Sequence, residues 1–262
     1  MNLRRTEARG AKVLSQLSSG KRITSAGDDA AGLAIATNLN AQVRSLRQAT
    51  RNANDGISSV QTAEGGLEEI SNILVRLREL SIQSASDTGS DNEREFLNLE
   101  YGGLLAEIDR ISESTSFNGT NVINGEEGEL NFQIGAFATE ESTIVFDTEN
   151  AHVDTSELAI SSSSIDTKAD ALDNLESLDE AIMTVNGQRA QLGATQSRLQ
   201  YATNNLETSV LNQDVARSRI EDVDIASSTA ELAAARVSGE MAIKSINISN
   251  RSLNKIIKLI QS

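Results

Sequence analysis

The side chains best suited to chemistry are a pair of adjacent carboxylates and a single imidazole. Asp28 and Asp29 occur together in the run SAGDDAAGLAI, and His152 is the one histidine in a chain without cysteine. A metal site or an acid–base pair would need a further ligand or partner, and none lies nearby in the sequence. Gly27 permits an unusual backbone angle, and either carboxylate can cap a helix that begins at Ala30. The pair therefore predicts a turn and a helix cap, with an acid pair for catalysis or metal binding as the minor alternative, and no cofactor or enzymatic activity is indicated.

The composition favours long helix seams over an ordinary globular core. The 262 residues contain no Pro, Cys or Trp, and aromatic residues make up 3% of the chain. Large aromatic side chains carry much of the buried area in most cores. Burial must therefore come from Leu, Ile, Val and Ala, which suit the packing of helices.

The net charge of −15 is concentrated in the middle of the chain. Between Glu126 and Glu180 there are 15 acidic residues and one basic residue, Lys168. An acidic surface of this kind repels nucleic acid. Both ends of the chain are basic, and we interpret them as solvated helix faces rather than phosphate-binding surfaces, because exposed Lys and Arg usually have that role.

The sequence predicts neither a membrane span nor a cleavable signal. No apolar run approaches the roughly 20 residues that are needed to cross a bilayer. The N-terminal run MNLRRTEARGAKVL lacks the apolar core of a secretory signal peptide. If the protein leaves the cytoplasm, we expect it to use another route.

Apolar residues at alternating steps of three and four predict a first long helix over residues 30–85. Its stripe comprises Leu39, Val43, Leu46, Ala53, Ile57, Val60, Leu67, Leu74 and Leu77. At 1.5 Å per residue this helix would be roughly 80 Å long. Gly65 and Gly66 lie inside it and are expected to weaken or bend it. A shorter helix is predicted over residues 92–112, after a turn-rich run.

The C-terminal half carries two further apolar stripes. A strict heptad comprises Leu178, Val185, Leu192, Leu199 and Leu206, which predicts a narrow seam against another long helix. The second, named the terminal stripe, comprises Leu232, Ile243, Ile246, Leu253, Ile256, Ile257 and Ile260. Bare apolar surface is unfavourable in water by roughly 25 cal/mol per Å². We therefore predict a mainly α fold in which the N- and C-terminal regions form a long antiparallel rod, with further copies of the chain covering the stripes at its ends.

The segment between the helical regions has the character of β-hairpins. Asn-Gly steps at 118–119 and 124–125 are strong turn signals. Alternating apolar residues at 130–134 and the run 144–146 predict two short strands. We expect a small hairpin region at one end of the rod. The expected segments are a terminal segment, the N-terminal rod helices, the hairpin region, the C-terminal rod helix and a terminal helix, at residues 1–29, 30–116, 117–165, 166–220 and 221–262.

Five segments of the sequence resemble the bacterial flagellin family, in the family's order and spacing. They are LSSGKRITSAGDDAAGLAIA at 17–36, NANDGISSVQTAEGGLEEISNILVRLRELSIQSA at 52–85, EIDRISESTSFNGTNVING at 107–125, GQRAQLGATQSRLQYATNNL at 187–206 and SRIEDVDIASSTAELA at 218–233. The resemblance covers most of the chain. It implies a secreted structural subunit that self-assembles into the flagellar filament for swimming motility and leaves the cell through the flagellar export apparatus.

The resemblance also implies an architecture and a set of partners. Flagellins insert variable outer domains in the middle of the chain, and this sequence looks like a short form that lacks them. It also begins later than most members, whose extreme N-terminal turns precede the segment that matches Asn2. Residues 1–29 and 221–262 are expected to line the inner tube of the filament. The expected partners are other copies of the chain, an export chaperone, and the cap and hook-junction proteins.

The resemblance implies one partner outside the bacterium as well, because an animal innate-immune receptor detects many flagellins. Family positions for that contact match Arg76, Leu80 and Glu100. The simpler interpretation is that the run VRLREL supports helix and subunit packing. Two other classes of protein remain as alternatives at this stage. One is a hook–filament junction protein built on the same rod plan, and the other is an intracellular coiled-coil adaptor.

Overall fold

The computed structural model describes residues 2–125, 128–148 and 151–260. Within these ranges the main elements are five α-helices and four short strands. The helices are α1 (Asn2–Ser19), α2 (Ala30–Ser84), α3 (Asp91–Ser114), α4 (Lys168–Glu221) and α5 (Ile225–Ile260). The strands are β1 (Ser116–Phe117), β2 (Thr120–Asn121), β3 (Glu129–Gln133) and β4 (Thr143–Asp147). The prediction of a mainly α chain with long helices and a small hairpin region is confirmed.

The chain divides into two compact units. The terminal unit comprises residues 1–44 and 210–262, and the central unit comprises residues 45–209. Helices α2 and α4 are long enough to contribute to both. No helix among the described residues combines the length and the hydropathy that a membrane span requires.

The central unit is built on α2, α3 and α4, with α2 antiparallel to both of the others. Arg76 of α2 contacts Glu100 of α3, while Arg94 of α3 reaches Ser84 at the end of α2. On the other side, the direction of α4 follows from the contacts Lys168–Asp87 and Arg78–Asp179. The predicted heptad of α4 lies in the core, since Leu178, Val185, Leu192, Leu199 and Leu206 are all buried. The seam predicted from the seven-residue spacing is therefore confirmed.

Helix α2 runs without interruption through its two central glycines, and the two glycines have different surroundings. A Cβ added at Gly65 would meet nothing within 4 Å. A Cβ added at Gly66 would lie 2.9 Å from both Ile123 Cδ1 and Thr115 Oγ1. Gly66 therefore lets the connection after α3 pack directly against the helix backbone, whereas no described residue of the central unit lies close enough to require that Gly65 lack a side chain.

The junction between α2 and α3 is closed by polar groups. Ser90 caps α3 in a capping box, with its side chain accepting from the Glu93 amide and the Glu93 carboxylate accepting from the Ser90 amide. The guanidinium of Arg94, almost fully buried, donates to the carbonyls of Ser84 and Ser86, both at 2.9 Å. The first bond satisfies a carbonyl group that the end of α2 leaves without a helical partner, and the second holds the turn that follows the helix.

Two antiparallel hairpins connect α3 to α4. Strands β1 and β2 pair around Asn118 and Gly119, whose φ angles are 52° and 83°. Both residues are in the left-handed region that a type I′ turn requires, as the Asn-Gly step predicts. Strands β3 and β4 pair from Glu129–Asp147 to Gln133–Thr143. In β4 the side chains of Ile144 and Phe146 are buried, so the predicted strand at 144–146 packs on the helical core.

Candidate assembly surface

The two carboxylates singled out from the sequence organise the turn that leads into α2. Asp29 is the helix cap, because its Oδ1 accepts from the Gly32 amide at 2.8 Å. Asp28 instead accepts from the amides of Thr24 and Ser25, both at 3.1 Å, and from the Lys12 ammonium at 2.7 Å. Lys12, followed by Thr24, holds the pKa of Asp28 well below its usual range. Asp29 thus caps α2, and Asp28 stabilises the turn that precedes the helix.

A backbone bridge joins this turn region to the break between α4 and α5. Lys21 and Asp222 form an isolated antiparallel bridge. The Arg22 amide donates to the Glu221 carbonyl at 2.6 Å, and the Val223 amide donates to the Gly20 carbonyl at 3.0 Å. Gly20, with a φ of 71°, turns the chain out of α1 at this point. The bridge therefore holds the C-terminal end of α1 next to the N-terminal end of α5, and from there the two helices lie side by side.

Helices α1 and α5 pack antiparallel through small residues. A Cβ at Gly10 would lie 3.9 Å from Ala235 Cβ, and a Cβ at Gly239 would lie 3.9 Å from Thr6 Cγ2. Arg9 Nε donates to Glu231 Oε1 at 2.6 Å across the pair. The bulkier apolar residues line a groove of about 390 Å³ between the helices, formed in part by Leu14, Leu232 and Ile243.

The structure divides the predicted terminal stripe into three parts. Leu232 is half-buried beside α1, whereas Ile243 and Ile246 keep about half of their surface exposed, at 49% and 48%. The side chains of Leu253, Ile256, Ile257 and Ile260 lie outside the described residues, although these positions belong to α5. Leu232 and Ile243 line the groove between α1 and α5, and Ile246 follows Ile243 by three residues on the same side of α5.

A second apolar stripe on α5 was missed in the sequence analysis. Val237, Met241 and Ile248 are 61%, 62% and 64% exposed. They follow one another at steps of four and seven, so they share one side of the helix, roughly opposite the side that faces α1. Their spacing alone identifies them, but the predicted stripe comprised only the series that begins at Leu232. We name these three residues the outer stripe.

The three residues proposed as a receptor contact do not share one environment. Arg76 is exposed and donates to Glu100 Oε1 at 2.8 and 3.0 Å, and this bond raises the pKa of the guanidinium. Leu80 is fully buried in the central core. The prediction that Leu80 belongs to an exposed contact surface is therefore wrong, because this residue follows Leu77 by three positions on the core side of α2.

The residues described in the structure offer no group of three His, Asp or Glu side chains suited to a metal ion. His152 is half-buried, and its Nε2 lies 3.5 Å from Asp154 Oδ2. The backbone carbonyl of His152 accepts from Gln188 Nε2 at 3.2 Å, which ties the loop after β4 to α4. The described contacts of His152 are therefore structural.

Comparison with known proteins gives a consistent result over most of the chain. Residues 1–127 match the family model described as the bacterial flagellin N-terminal helical region, and residues 175–260 match the bacterial flagellin C-terminal helical region. The flagellin of Halalkalibacterium halodurans is 36% identical over 252 residues, which cover 96% of this chain and 92% of that protein. The Bacillus subtilis flagellin is also 36% identical, and the match covers 95% of this chain and 92% of that protein.

Two further comparisons extend this result. The flagellar filament 33 kDa core protein of Treponema phagedenis is 36% identical over 95% of this chain and 92% of its own length. The crystal structure of Bacillus cereus flagellin superposes with a TM-score of 0.53 at 30% identity, covering 60% of this chain and 88% of that one. These relatives are filament proteins, which favours a filament subunit over the hook–filament junction protein and the intracellular adaptor.

Proposed function

Because this chain belongs to the bacterial flagellin family and is a structural subunit of the flagellar filament, an extracellular structure, we propose that its copies join through the apolar surface of α5 that α1 leaves exposed. The contact residues are the outer stripe together with the exposed part of the terminal stripe. In this proposal residues 1–29 and 221–262 make the inner contacts of the filament, and no chemical step is involved.

The observation that carries this proposal is that α5 is apolar on two sides. Its side with Leu232 and Gly239 faces α1, while the outer stripe is on the other side and remains more than half exposed. A helix with apolar residues on both sides is suited to burial between two neighbours. One neighbour is α1 of the same chain, and the second is a further copy.

The area involved sets the strength of the contact. Full burial of a Val, Ile or Met side chain is worth about 1.5–3 kcal/mol, so covering the exposed three-fifths of the three outer-stripe residues contributes roughly 3–5 kcal/mol. Association itself costs an estimated 4–15 kcal/mol in lost freedom of motion. Two copies alone should therefore separate, and growth is favourable where an incoming copy meets several neighbours at a filament end.

Seeded polymerisation tests the proposal. We expect Met241→Asp and Ile248→Asp, singly and together, to raise the protein concentration needed for elongation of filament seeds, measured by sedimentation. Asn247→Asp places the same charge on an exposed polar position of α5 and is the matched control. Circular dichroism of each monomer checks that helix content is unchanged. The proposal fails if the wild-type chain stays monomeric at high concentration with seeds present, or if the outer-stripe variants elongate as well as the control.

We propose that the chain is exported through the flagellar apparatus without removal of a signal peptide. In this proposal a dedicated chaperone binds the chain before export, and the cap and hook-junction proteins contact it afterwards. Membership of the flagellin family supports this proposal. Mass spectrometry of the N-terminal peptide in cytosolic and sheared extracellular material tests it. Identical N-termini are expected, whereas a shorter extracellular form would contradict it.

Recognition of the free subunit by an innate-immune receptor is a second candidate function. The exposed ion pair between Arg76 and Glu100, held across α2 and α3, supports it because such a pair presents a rigid charged surface. Soluble monomer is expected to activate a receptor reporter cell line, and Arg76→Ala is expected to weaken the response. Arg110→Ala on the same helix pair is the matched control. A reporter that stays silent with wild-type monomer would eliminate this function.

A further inference from the structure

Three asparagines of the chain are each followed directly by glycine, and the structure holds each pair in a different backbone. The pairs are Asn118–Gly119, Asn124–Gly125 and Asn186–Gly187. We propose that Asn118 is a site of spontaneous chemical modification, at which the side-chain amide is converted through a cyclic imide to aspartate and isoaspartate. The other two pairs are protected from this reaction. The modification takes place within a single chain and does not depend on how copies assemble.

The nucleophile in this reaction is the main-chain nitrogen of the glycine. After this nitrogen loses its proton to solvent base, it attacks Asn118 Cγ, a C–N bond forms, and the side-chain nitrogen leaves as ammonia. Water then opens the five-membered imide, giving aspartate by attack at Cγ and isoaspartate by attack at the main-chain carbonyl carbon. One water is consumed and one ammonia is released, so no enzyme or oxidant is required. Glycine favours the attack because it has no Cβ to shield its nitrogen and its backbone rotates freely.

The tip of the first hairpin leaves Asn118 open to this reaction. Asn118 and Gly119 are exposed, and a Cβ added at Gly119 would meet nothing within 4 Å. Phe117 pairs with Thr120, so the turn bond uses the Thr120 amide and leaves the Gly119 amide outside the ladder. Strands β1 and β2 have two residues each, and so short a pair opposes rotation of the Asn118–Gly119 peptide only weakly. The attacking nitrogen is therefore accessible, and the imide ring has the space that it needs.

Asn186 has the same neighbour and is also exposed, but its backbone is helical. Asn186 and Gly187 lie in the middle of α4, and a Cβ added at Gly187 would also meet nothing within 4 Å. In a helix the Gly187 amide donates to the carbonyl four residues earlier, at Met183. Ring closure must break this bond and rotate the backbone away from helical angles, directly beside Val185, which is fully buried in the seam. The helix therefore opposes the reaction although solvent reaches both residues.

Asn124 is protected by packing instead. Gly125 has a φ of 75°, and a Cβ added there would lie 3.0 Å from both Cβ and Cγ of His152. On the preceding side, the carbonyl of the fully buried Ile123 accepts from the Val153 amide at 3.3 Å. The loop after β4 thus holds the Asn124–Gly125 peptide on both sides. Because rotation toward the imide has to displace His152, we expect Asn124 to react more slowly than Asn118.

Isoaspartate at position 118 changes the hairpin itself. It adds one carbon atom to the main chain inside a two-residue turn, and the length of the turn fixes the register of the strands. Loss of the pairing between Phe117 and Thr120 exposes the next bond of the ladder, which joins the Val122 amide to the Thr115 carbonyl at 3.2 Å. Thr115 belongs to the segment that packs against α2. The modification therefore loosens the contact between this segment and the helix.

Mass spectrometry of the aged monomer tests the proposal. The full-length chain is incubated in ¹⁸O-labelled water at several pH values, and the peptides that contain each Asn-Gly pair are quantified over time. We expect position 118 to convert at least about tenfold faster than position 186, a difference that requires only about 1.4 kcal/mol of extra barrier in the helix. Conversion should accelerate as the pH rises, because the attacking nitrogen must lose its proton, and ¹⁸O should appear in the modified residue.

Two controls separate the effect of the fold from that of the dipeptide. A synthetic peptide spanning residues 114–123 gives the rate for the same sequence without the protein around it. Equal rates at positions 118 and 186, or an intact position 118 in the protein while the peptide converts, overturn the proposal. The variant Asn118→Gly keeps residues that suit a type I′ turn and removes the reacting side chain. Hydrogen exchange at the Thr120 and Val122 amides should become faster with age in the wild type and stay constant in Asn118→Gly. Unchanged exchange in an isoaspartate-rich fraction would overturn the loosening of the hairpin.

Discussion

The adjacent glycines of α2 should respond in opposite directions to the same substitution. Gly65→Ala adds a methyl group where nothing lies within 4 Å. It removes the entropic cost of a helical glycine and is expected to stabilise the chain by about 0.5–1 kcal/mol. Gly66→Ala gains the same amount but forces its Cβ to 2.9 Å from Ile123 Cδ1 and Thr115 Oγ1. Ile123 is fully buried, and a close-packed interior leaves a side chain little room to move.

Overpacking of this kind costs about 1–3 kcal/mol. Subtracting the helix gain leaves Gly66→Ala less stable than the wild type by up to about 2 kcal/mol. Because both variants gain the same helix term, they should differ by the overpacking cost itself, about 1–3 kcal/mol. Urea unfolding of the monomer measures this difference. Tyrosine fluorescence is a suitable signal because the chain has no Trp and its two tyrosines, Tyr101 and Tyr201, both lie in the central unit.

The result also tests the packing of the hairpin connection against α2. If Gly66→Ala proves as stable as Gly65→Ala, then Ile123 and Thr115 can move aside, and the close approach of this segment to the helix backbone is not a requirement of the fold. If Gly65→Ala is destabilising instead, its surroundings are not open. Either outcome would refute the reasoning from the added Cβ positions.

Three further predictions concern polar contacts. The pKa of Asp28 is lowered in the folded state, so its carboxylate stabilises the turn fully above the unfolded pKa of about 3.9. This contribution is lost as the pH falls toward the folded pKa. Asp28→Asn should therefore unfold more easily than the wild type at neutral pH, and the difference in stability should disappear below about pH 4 in a pH series of urea unfolding. Arg94→Met should cost about 1.5–3 kcal/mol, because it leaves the buried Ser84 carbonyl without its charged donor, and Lys in place of the exposed Arg110 serves as the neutral comparison. Ser90→Ala should cost about 0.5–2 kcal/mol by removing the capping box, and restoration by Thr but not by Val in thermal melts would separate the cap from side-chain volume.

Periodicity was sufficient to predict the long helices, because burial along a helix repeats at a fixed spacing. The predicted start of α2 at Ala30 agrees with the structure, and its predicted end is within one residue of Ser84. The heptad of α4 is buried as expected. The hairpin turn at Asn118 was predictable for a different reason, since few residues other than Asn and Gly adopt its backbone angles.

The remaining features depend on which neighbour covers each face, and a single sequence does not specify that. The spacing of α2 would have placed Leu80 in the core as the next member of the stripe after Leu77, but the residue was assigned to the surface by resemblance. The roles of Asp28 and Asp29 could not be distinguished, because both precede Ala30 and only the geometry separates cap from turn. The outer stripe was not predicted, because a single apolar series was assumed to contain all the exposed apolar residues of α5.

The short bridge between Lys21 and Asp222 has a mechanical consequence for the terminal helices. Sliding of α1 along α5 would have to break the backbone bonds from Arg22 to Glu221 and from Val223 to Gly20, in addition to the small-residue packing between the helices. Load that a neighbouring copy applies to α5 is therefore transmitted to α1 through main-chain atoms, which stretch far less than side chains. Helices α1 and α5 should therefore resist sliding past each other and move as one unit when a rotating filament bends.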